Sequence, residues 1–205
     1  MKTSRLIIII LAVILVVFLV YFLSTNIINK QKEVKKMQNT VVVIETSKGN
    51  IELQLFDQNA PITVKNFLKY VNGGFYKGTV FHRVMKGFMI QGGGFTPDGK
   101  EKQTFAPIQL ESTDKTKLSN DVGTIAMART NNPNSATSQF FINTVNNSFL
   151  NYQSTSNPGY AVFGIVTSGM DVVKKIEDVN TTTKFGSYAN WPVDDVIIKD
   201  IYVKK

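Results

Sequence analysis

From Thr40 to its carboxyl end the chain is cut by turn-forming residues into short stretches, only two of which have helical spacing. That restricts the body to a fold of many short strands. Val41 to Glu45 and Ile51 to Leu55 flank Ser47-Lys48-Gly49-Asn50 as the arms of a hairpin, and Ile51, Leu53 and Leu55 alternate with Glu52 and Gln54, so one face is buried. Residues 57–61 start a helix in which Val64, Phe67, Leu68 and Val71 share a stripe before Gly73-Gly74 ends it. Further strands are expected over residues 80–84, 88–91, 123–128, 139–144, 161–166 and 196–203, and a second helix over 170–179 with Val172, Val173 and Ile176 on one side. The pattern predicts a mainly β fold, a closed antiparallel barrel of about eight strands whose open ends are plugged by two helices. Residues 96–121 and 130–138 are irregular, and long ordered loops in a compact domain are often functional.

The amino-terminal part has a different character. Residues 1–5 are basic through Lys2 and Arg5, and Leu6 to Leu23 are 18 uninterrupted apolar residues. A helix of that length is about 27 Å long, close to the ~30 Å hydrocarbon thickness of a bilayer. The run ends Tyr21-Phe22-Leu23-Ser24-Thr25-Asn26 without a small-x-small cleavage pattern, which favours an uncleaved single-pass transmembrane signal-anchor over a signal peptide. Residues 24–39 then form a polar linker carrying Lys30, Lys32, Lys35 and Lys36, and residues 40–205 form the body. Positive charge on both sides of the run leaves orientation open, but the nearer Lys2 and Arg5 place the amino terminus in the cytoplasm and the body outside it. The alternative is that the lysine cluster sits at cytoplasmic headgroups and holds the body inside.

Composition narrows the chemistry. There is no cysteine and one histidine, His82, which argues against thiolate nucleophiles, disulfides, metal sites and Ser/His relays. Of the net charge of +8, the first 36 residues carry +5. The body is therefore only weakly basic and has no Lys/Arg stripe of the kind that binds nucleic acid.

One segment stands out. Phe81-His82-Arg83-Val84-Met85-Lys86-Gly87-Phe88-Met89-Ile90-Gln91-Gly92-Gly93-Gly94-Phe95 interleaves a guanidinium, polar donors and large apolar groups, and on alternating strands Arg83, Phe88 or Met89, and Gln91 could share a face. Residue types alone leave Arg83 open between a surface ion pair and a functional donor, and Phe88 and Met89 between core and pocket. The glycine run lacks a following Gly-Lys-Ser/Thr and a strand-turn-helix setting, so it reads as a bulge or a close backbone approach rather than a phosphate cradle.

This segment resembles the signature of the cyclophilin isomerases. Gly123-Thr124-Ile125-Ala126-Met127-Ala128-Arg129, Ser138-Gln139-Phe140-Phe141-Ile142-Asn143, Phe149-Leu150 and Val162-Phe163-Gly164 follow in the family's order, and Ala60 to Phe67 is similar to its first helix. The likeness runs from about residue 41 to 203, with Ala-Met-Ala-Arg-Thr similar to the bacterial branch. It implies a peptidyl-prolyl cis/trans isomerase that binds proline-containing polypeptides, needs no cofactor or metal and works as a monomeric catalytic domain; with the body placed outside the cytoplasm by the amino-terminal segment, it would assist folding of extracytoplasmic proteins. By matching position, Arg83 and Gln91 would be catalytic, the first donating to the prolyl nitrogen and the second holding the substrate carbonyl. Phe88, Met89, Phe141 and Leu150 would line the proline pocket, Ala128 and Arg129 would present backbone to the preceding residues, and Gln139 would complete the polar rim. Phe149 stands where many members carry tryptophan, Tyr160 where they carry a pocket histidine, and Arg129 where asparagine is common. His82 reads as a structural neighbour of Arg83.

Two other readings remain at this stage. A proline-peptide binding module or holdase would keep the pocket with incidental turnover, but would have no need of a donor aimed at nitrogen. A carboxylate hydrolase would need two acids together, and Glu111 and Asp114 are the nearest loop pair.

Overall fold

The computed structural model describes residues 17–28 and 39–204. The chain divides into two units between Gln38 and Asn39. In the first, residues 17–28 are helical (α1), and Val17 to Leu23, Ile27 and Ile28 are exposed. The spanning helix expected over residues 6–23 falls largely outside the described residues, as does the lysine cluster. Among the described residues no helix is long and apolar enough to cross a membrane. The expected transmembrane helix is not found among the described residues.

The second unit runs β1 (Val41–Thr46), β2 (Gly49–Leu55), α2 (Pro61–Asn72), β3 (Thr79–Val80), β4 (Arg83–Met85), β5 (Met89–Gly92), α3 (Thr113–Thr116), β6 (Thr124–Met127) and β7 (Phe140–Asn143). A 3-10 turn (Ser148–Leu150), β8 (Val162–Ser168), α4 (Met170–Glu177), β9 (Thr181–Lys184), β10 (Tyr188–Pro192) and β11 (Ile197–Val203) complete it. Among the described residues, nine strands form one sheet in the order β3-β11-β1-β2-β8-β6-β7-β5-β4, and β9 and β10 form a separate hairpin.

The sheet is open, which corrects the closed barrel. Its two ends are β3 and β4, and no ladder joins them. The reason lies in the segment expected as one strand over residues 80–84. Val80 pairs with Ile197 of β11, whereas Arg83 pairs with Gln91 of β5. Only Phe81 and His82 separate β3 from β4, and neither has the positive φ that a two-residue hairpin turn requires, so the chain runs on instead of folding back into an antiparallel pair. The backbone bonds at this break go elsewhere: the Phe81 N–H donates to Val196 O (2.9 Å), and the N–H of Val80 just before it donates to Phe95 O (2.9 Å).

β1 and β2 form the expected hairpin, with Val41 opposite Gln54 and Thr46 opposite Gly49. Ile51, Leu53 and Leu55 are fully buried, as their alternation requires. The inner face of the sheet joins Val64, Phe67 and Tyr70 of α2 and Val173 and Ile176 of α4 in one core. The Phe67 ring meets Phe163 at 5.2 Å, Tyr76 at 5.3 Å and Phe140 edge-on at 5.8 Å. Each large apolar side chain so buried contributes roughly 1.5–3 kcal/mol.

Pro61 opens α2, where its missing N–H costs nothing, but the preceding Ala60 offers no capping side chain. Glu111 supplies the cap from a distant loop, accepting from Ile62 N–H (3.1 Å), Thr63 N–H (2.8 Å) and the Thr63 hydroxyl (2.7 Å). A carboxylate there satisfies orphan donors and opposes the positive end of the helix dipole. Glu111→Ala should lower stability by about 1–2 kcal/mol, read as a reduced urea midpoint at unchanged slope; an unchanged midpoint would show the cap to be idle.

Candidate active site

The site grows from the period-2 geometry of four strands. On β5, β7, β6 and β8, the residues Ile90, Ile142, Ile125 and Phe163 point into the main core, while their neighbours Met89, Phe141, Ala126 and Val162 form a second apolar cluster on the opposite face. The registers put Arg83, Gln91, Phe141, Ala126 and Val162 opposite one another in turn, a single rung crossing five strands. A guanidinium, an amide and an apolar floor are thereby brought side by side.

A cleft of about 250 Å³ opens over this rung. It is lined by nine residues that sequence reasoning singled out: Arg83, Phe88, Met89, Gln91, Ala128, Arg129, Phe141, Leu150 and Tyr160. Arg83 Nη1 donates to Gln91 Oε1 at 3.4 Å, and Gln91 Nε2 donates to Gln139 Oε1 at 3.0 Å. The two remaining candidates lie at the margin. Gln139 borders an adjoining polar groove of about 210 Å³ with Glu101, Thr130 and Ser135. Phe149 is 57% exposed and stacks on Phe88 at 5.8 Å, so it backs the cleft wall instead of facing in.

Arg129 uses its side chain locally. Its Nε donates to Gly159 O (2.9 Å), its Nη1 to Thr130 O (2.8 Å), and its guanidinium lies 4.6 Å from the Tyr160 ring centre. Tyr160 in turn meets Phe141 edge-on at 5.5 Å. Gly159 is required by this arrangement, because a Cβ there would stand 2.5 Å from the Leu150 carbonyl oxygen, at a φ of +69° that also disfavours other residues. Gly94 is a second close approach, since Gln139 occupies the space a Cβ would need, at 2.6 Å.

The site also rests on residues that the sequence reading passed over. Asn147 Nδ2 donates to Phe88 O and to Asn143 Oδ1, both at 2.8 Å, and Asn143 Nδ2 donates to Thr124 Oγ1 at 2.9 Å. Asn151 Oδ1 accepts from the backbone and side chain of Asn120 at 2.8 and 2.9 Å. This amide network pins the 3-10 turn bearing Phe149 and Leu150 to the Phe88 carbonyl. Four asparagines in a loop-rich sequence look like ordinary turn formers, and their only advance signal was the spacing of Asn143, Asn147 and Asn151 at intervals of four.

His82 is 6% exposed and faces away from the cleft, against Phe95 (4.7 Å) and Trp191 (5.8 Å). Burial, aided by the neighbouring Arg83 charge, pushes its imidazole down to about 4. Glu111 is occupied by the α2 cap, and Asp114 accepts from Ser112 Oγ at 2.5 Å, so the loop carboxylates do not assemble a hydrolytic pair.

The described residues thus form an open β-sheet, packed by helices on one face, whose other face carries an arginine beside an apolar cleft. Residues 41–203 match the sequence profile of the cyclophilin type peptidyl-prolyl cis-trans isomerase/CLD family. The chain is 53% identical over 168 residues to a peptidyl-prolyl cis-trans isomerase of Acinetobacter baylyi, covering 82% of this chain and 87% of that one. It is 50% identical over 167 residues to peptidyl-prolyl cis-trans isomerase B of Escherichia coli, covering 80% and 100%. A solved cyclophilin type isomerase of Cryptosporidium parvum, determined in the presence of the dipeptide Ala-Pro, superimposes with a TM-score of 0.66 at 30% identity, covering 80% of this chain and 99% of that one. The chain belongs to the cyclophilin-type peptidyl-prolyl cis-trans isomerases, and it is an enzyme of that activity.

Proposed function

We propose that Arg83 is the catalytic donor, acting on a proline seated over Phe141 and Met89. Rotation about a prolyl peptide bond faces a barrier of ~18–20 kcal/mol because twisting breaks amide resonance. No bond forms or breaks, so catalysis requires only preferential binding of the twisted state. In that state the prolyl nitrogen becomes pyramidal and accepts a hydrogen bond. The observation that carries the reading is the shared rung: Arg83, Gln91 and Phe141 stand one strand spacing apart in sequence, which sets a donor beside an apolar seat for the ring. The 3.4 Å contact from Gln91 Oε1 orients the guanidinium. Gln91 also steadies the substrate carbonyl, and Phe88, Leu150 and Tyr160 enclose the ring. Ala128 and Arg129 take the residues before proline as an added strand-like segment. Because the Ala128 N–H already donates to Gln139 O (2.9 Å), that contact runs through the Ala128 carbonyl and the Arg129 backbone. The test is Arg83→Ala, assayed by exchange spectroscopy on a proline peptide together with a binding titration. Lost exchange with retained binding supports the role, and retained exchange removes it.

The clients in this reading are polypeptides outside the cytoplasm. Support comes from the order of Lys2 and Arg5 followed by the apolar run Leu6 to Leu23, a sequence suited to export. Protease added to intact cells stripped of their outer wall should digest the tagged protein. Protection until lysis would place it inside and overturn this assignment.

A further inference from the structure

Arg83 stands between two cavities. Beyond it from the proline cleft lies a second cavity of about 450 Å³, bounded by His82, Arg83, Phe95, Gln139 and residues 187–190. Its outer wall is the β9–β10 hairpin, whose β10 strand packs against β4.

The sheet order gives the direction in which a bound chain meets this cavity. Ala128 and Arg129 follow β6, and β7, β5 and β4 come next in the sheet. Arg83 on β4 is therefore three strand spacings from the β6 end of the site, about 14 Å. A peptide whose earlier residues lie at Ala128 and Arg129, with its proline over Phe141, crosses the strands toward β4. Continued for one or two extended residues, at about 3.3–3.6 Å each, it passes Arg83 and reaches the hairpin. This direction rests on the placement of substrate proposed above.

The wall it meets is aromatic and braced. Tyr188 is 36% exposed, with its ring on Phe95 (5.0 Å) and Trp191 (5.8 Å). Trp191 is fixed in turn by its Nε1–H donation to Asp195 Oδ1 (2.8 Å), an atom that also accepts from Lys184 Nζ (2.9 Å). The residues bounding the cavity include no carboxylate, and Arg83 supplies a positive charge at its rim. A rigid exposed ring beside a fixed cation disfavours a basic side chain and offers a stacking partner to an aromatic one. We infer that this cavity is a subsite for the residue following the proline, that it prefers an aromatic side chain, and that Tyr188 determines that preference.

The experiment compares kcat/KM for Ala-Ala-Pro-Phe and Ala-Ala-Pro-Ala peptides with the full chain. The wild type should favour the first by about three- to tenfold, the range expected of one ring stack. Tyr188→Ala should bring the ratio close to one, while Tyr188→Phe preserves it. A ratio of one in the wild type, or a ratio unmoved by Tyr188→Ala, overturns the subsite. Because Tyr188 also packs on Trp191, a second variant avoids the core: Ala189→Glu, at an exposed position, should raise turnover of Ala-Ala-Pro-Lys relative to Ala-Ala-Pro-Phe severalfold, and an unchanged ratio counts against the subsite. Failure here is distinguishable from failure of the substrate placement, since turnover of both peptides that Arg83→Ala leaves unchanged would remove the placement itself.

Discussion

Arg83→Ala should reduce kcat/KM for prolyl isomerisation at least a hundredfold while leaving the thermal transition of the domain nearly unchanged. The size follows from the work assigned to the guanidinium. A charged donor that bonds the prolyl nitrogen only when the amide is twisted stabilises the transition state and not the ground state, and two to three powers of ten correspond to about 3–4 kcal/mol. The folded state should tolerate the change because Arg83 is only half-buried and its side chain contacts Gln91 at 3.4 Å, outside the main core. Arg83→Lys provides a graded control. It keeps the charge but loses the planar fork held by Gln91, so it should recover only part of the rate. Turnover near the wild-type level in Arg83→Ala, with the protein folded, would mean that the apolar cleft alone lowers the barrier.

A comparably large effect is expected on stability, from His82. Its imidazole titrates at about 4 in the folded protein against about 6.5 when unfolded, chiefly because burial between Phe95 and Trp191 disfavours the cation. Above pH 6.5 both states are neutral and the group leaves stability unaffected. As pH falls from 6.5 toward 4, the unfolded chain takes up a proton that the folded one refuses, so stability declines. Fully developed, the difference is roughly 3 kcal/mol. Carboxylates held below their ordinary range, such as Glu177 with its bond from Lys174, also weaken the fold in acid. The diagnostic quantity is therefore a difference: denaturant unfolding of His82→Gln should show a shallower loss between pH 6.5 and 4.5 than the wild type. Parallel curves would contradict the burial argument.

How much of this was legible in sequence depended on whether a pattern repeats. Ile51, Leu53 and Leu55, or Val64, Phe67 and Val71, announce their elements because burial on one face imposes a period. The cleft residues were legible through the resemblance, and nine of the eleven line one cavity. What could not be read was where pairing changes partner. Residues 80–84 look like one strand because Val80, Phe81 and Val84 are all apolar, yet the ladder breaks at Phe81 and His82, and that break separates an open sheet from a closed one. Hairpin β9–β10 was missed for the opposite reason: Thr181, Thr182 and Thr183 are exposed and carry no alternation. The asparagine network was hidden because its members satisfy one another across loops, and sequence distance reveals nothing of that. The helix-capping role of Glu111 was equally hidden, since its partners, Ile62 and Thr63, lie 49 and 48 residues away.

The open sheet bears on solubility. Extended polypeptide chains can add themselves to any long free strand edge, and such additions propagate into aggregates. This sheet has two edges, but they are the two-residue β3 and the three-residue β4, consecutive in the chain, with β10 packed against the second. Neither presents a row of backbone groups long enough to template another strand. A proline-containing chain held across the outer face, as proposed above, finds no edge there on which to polymerise.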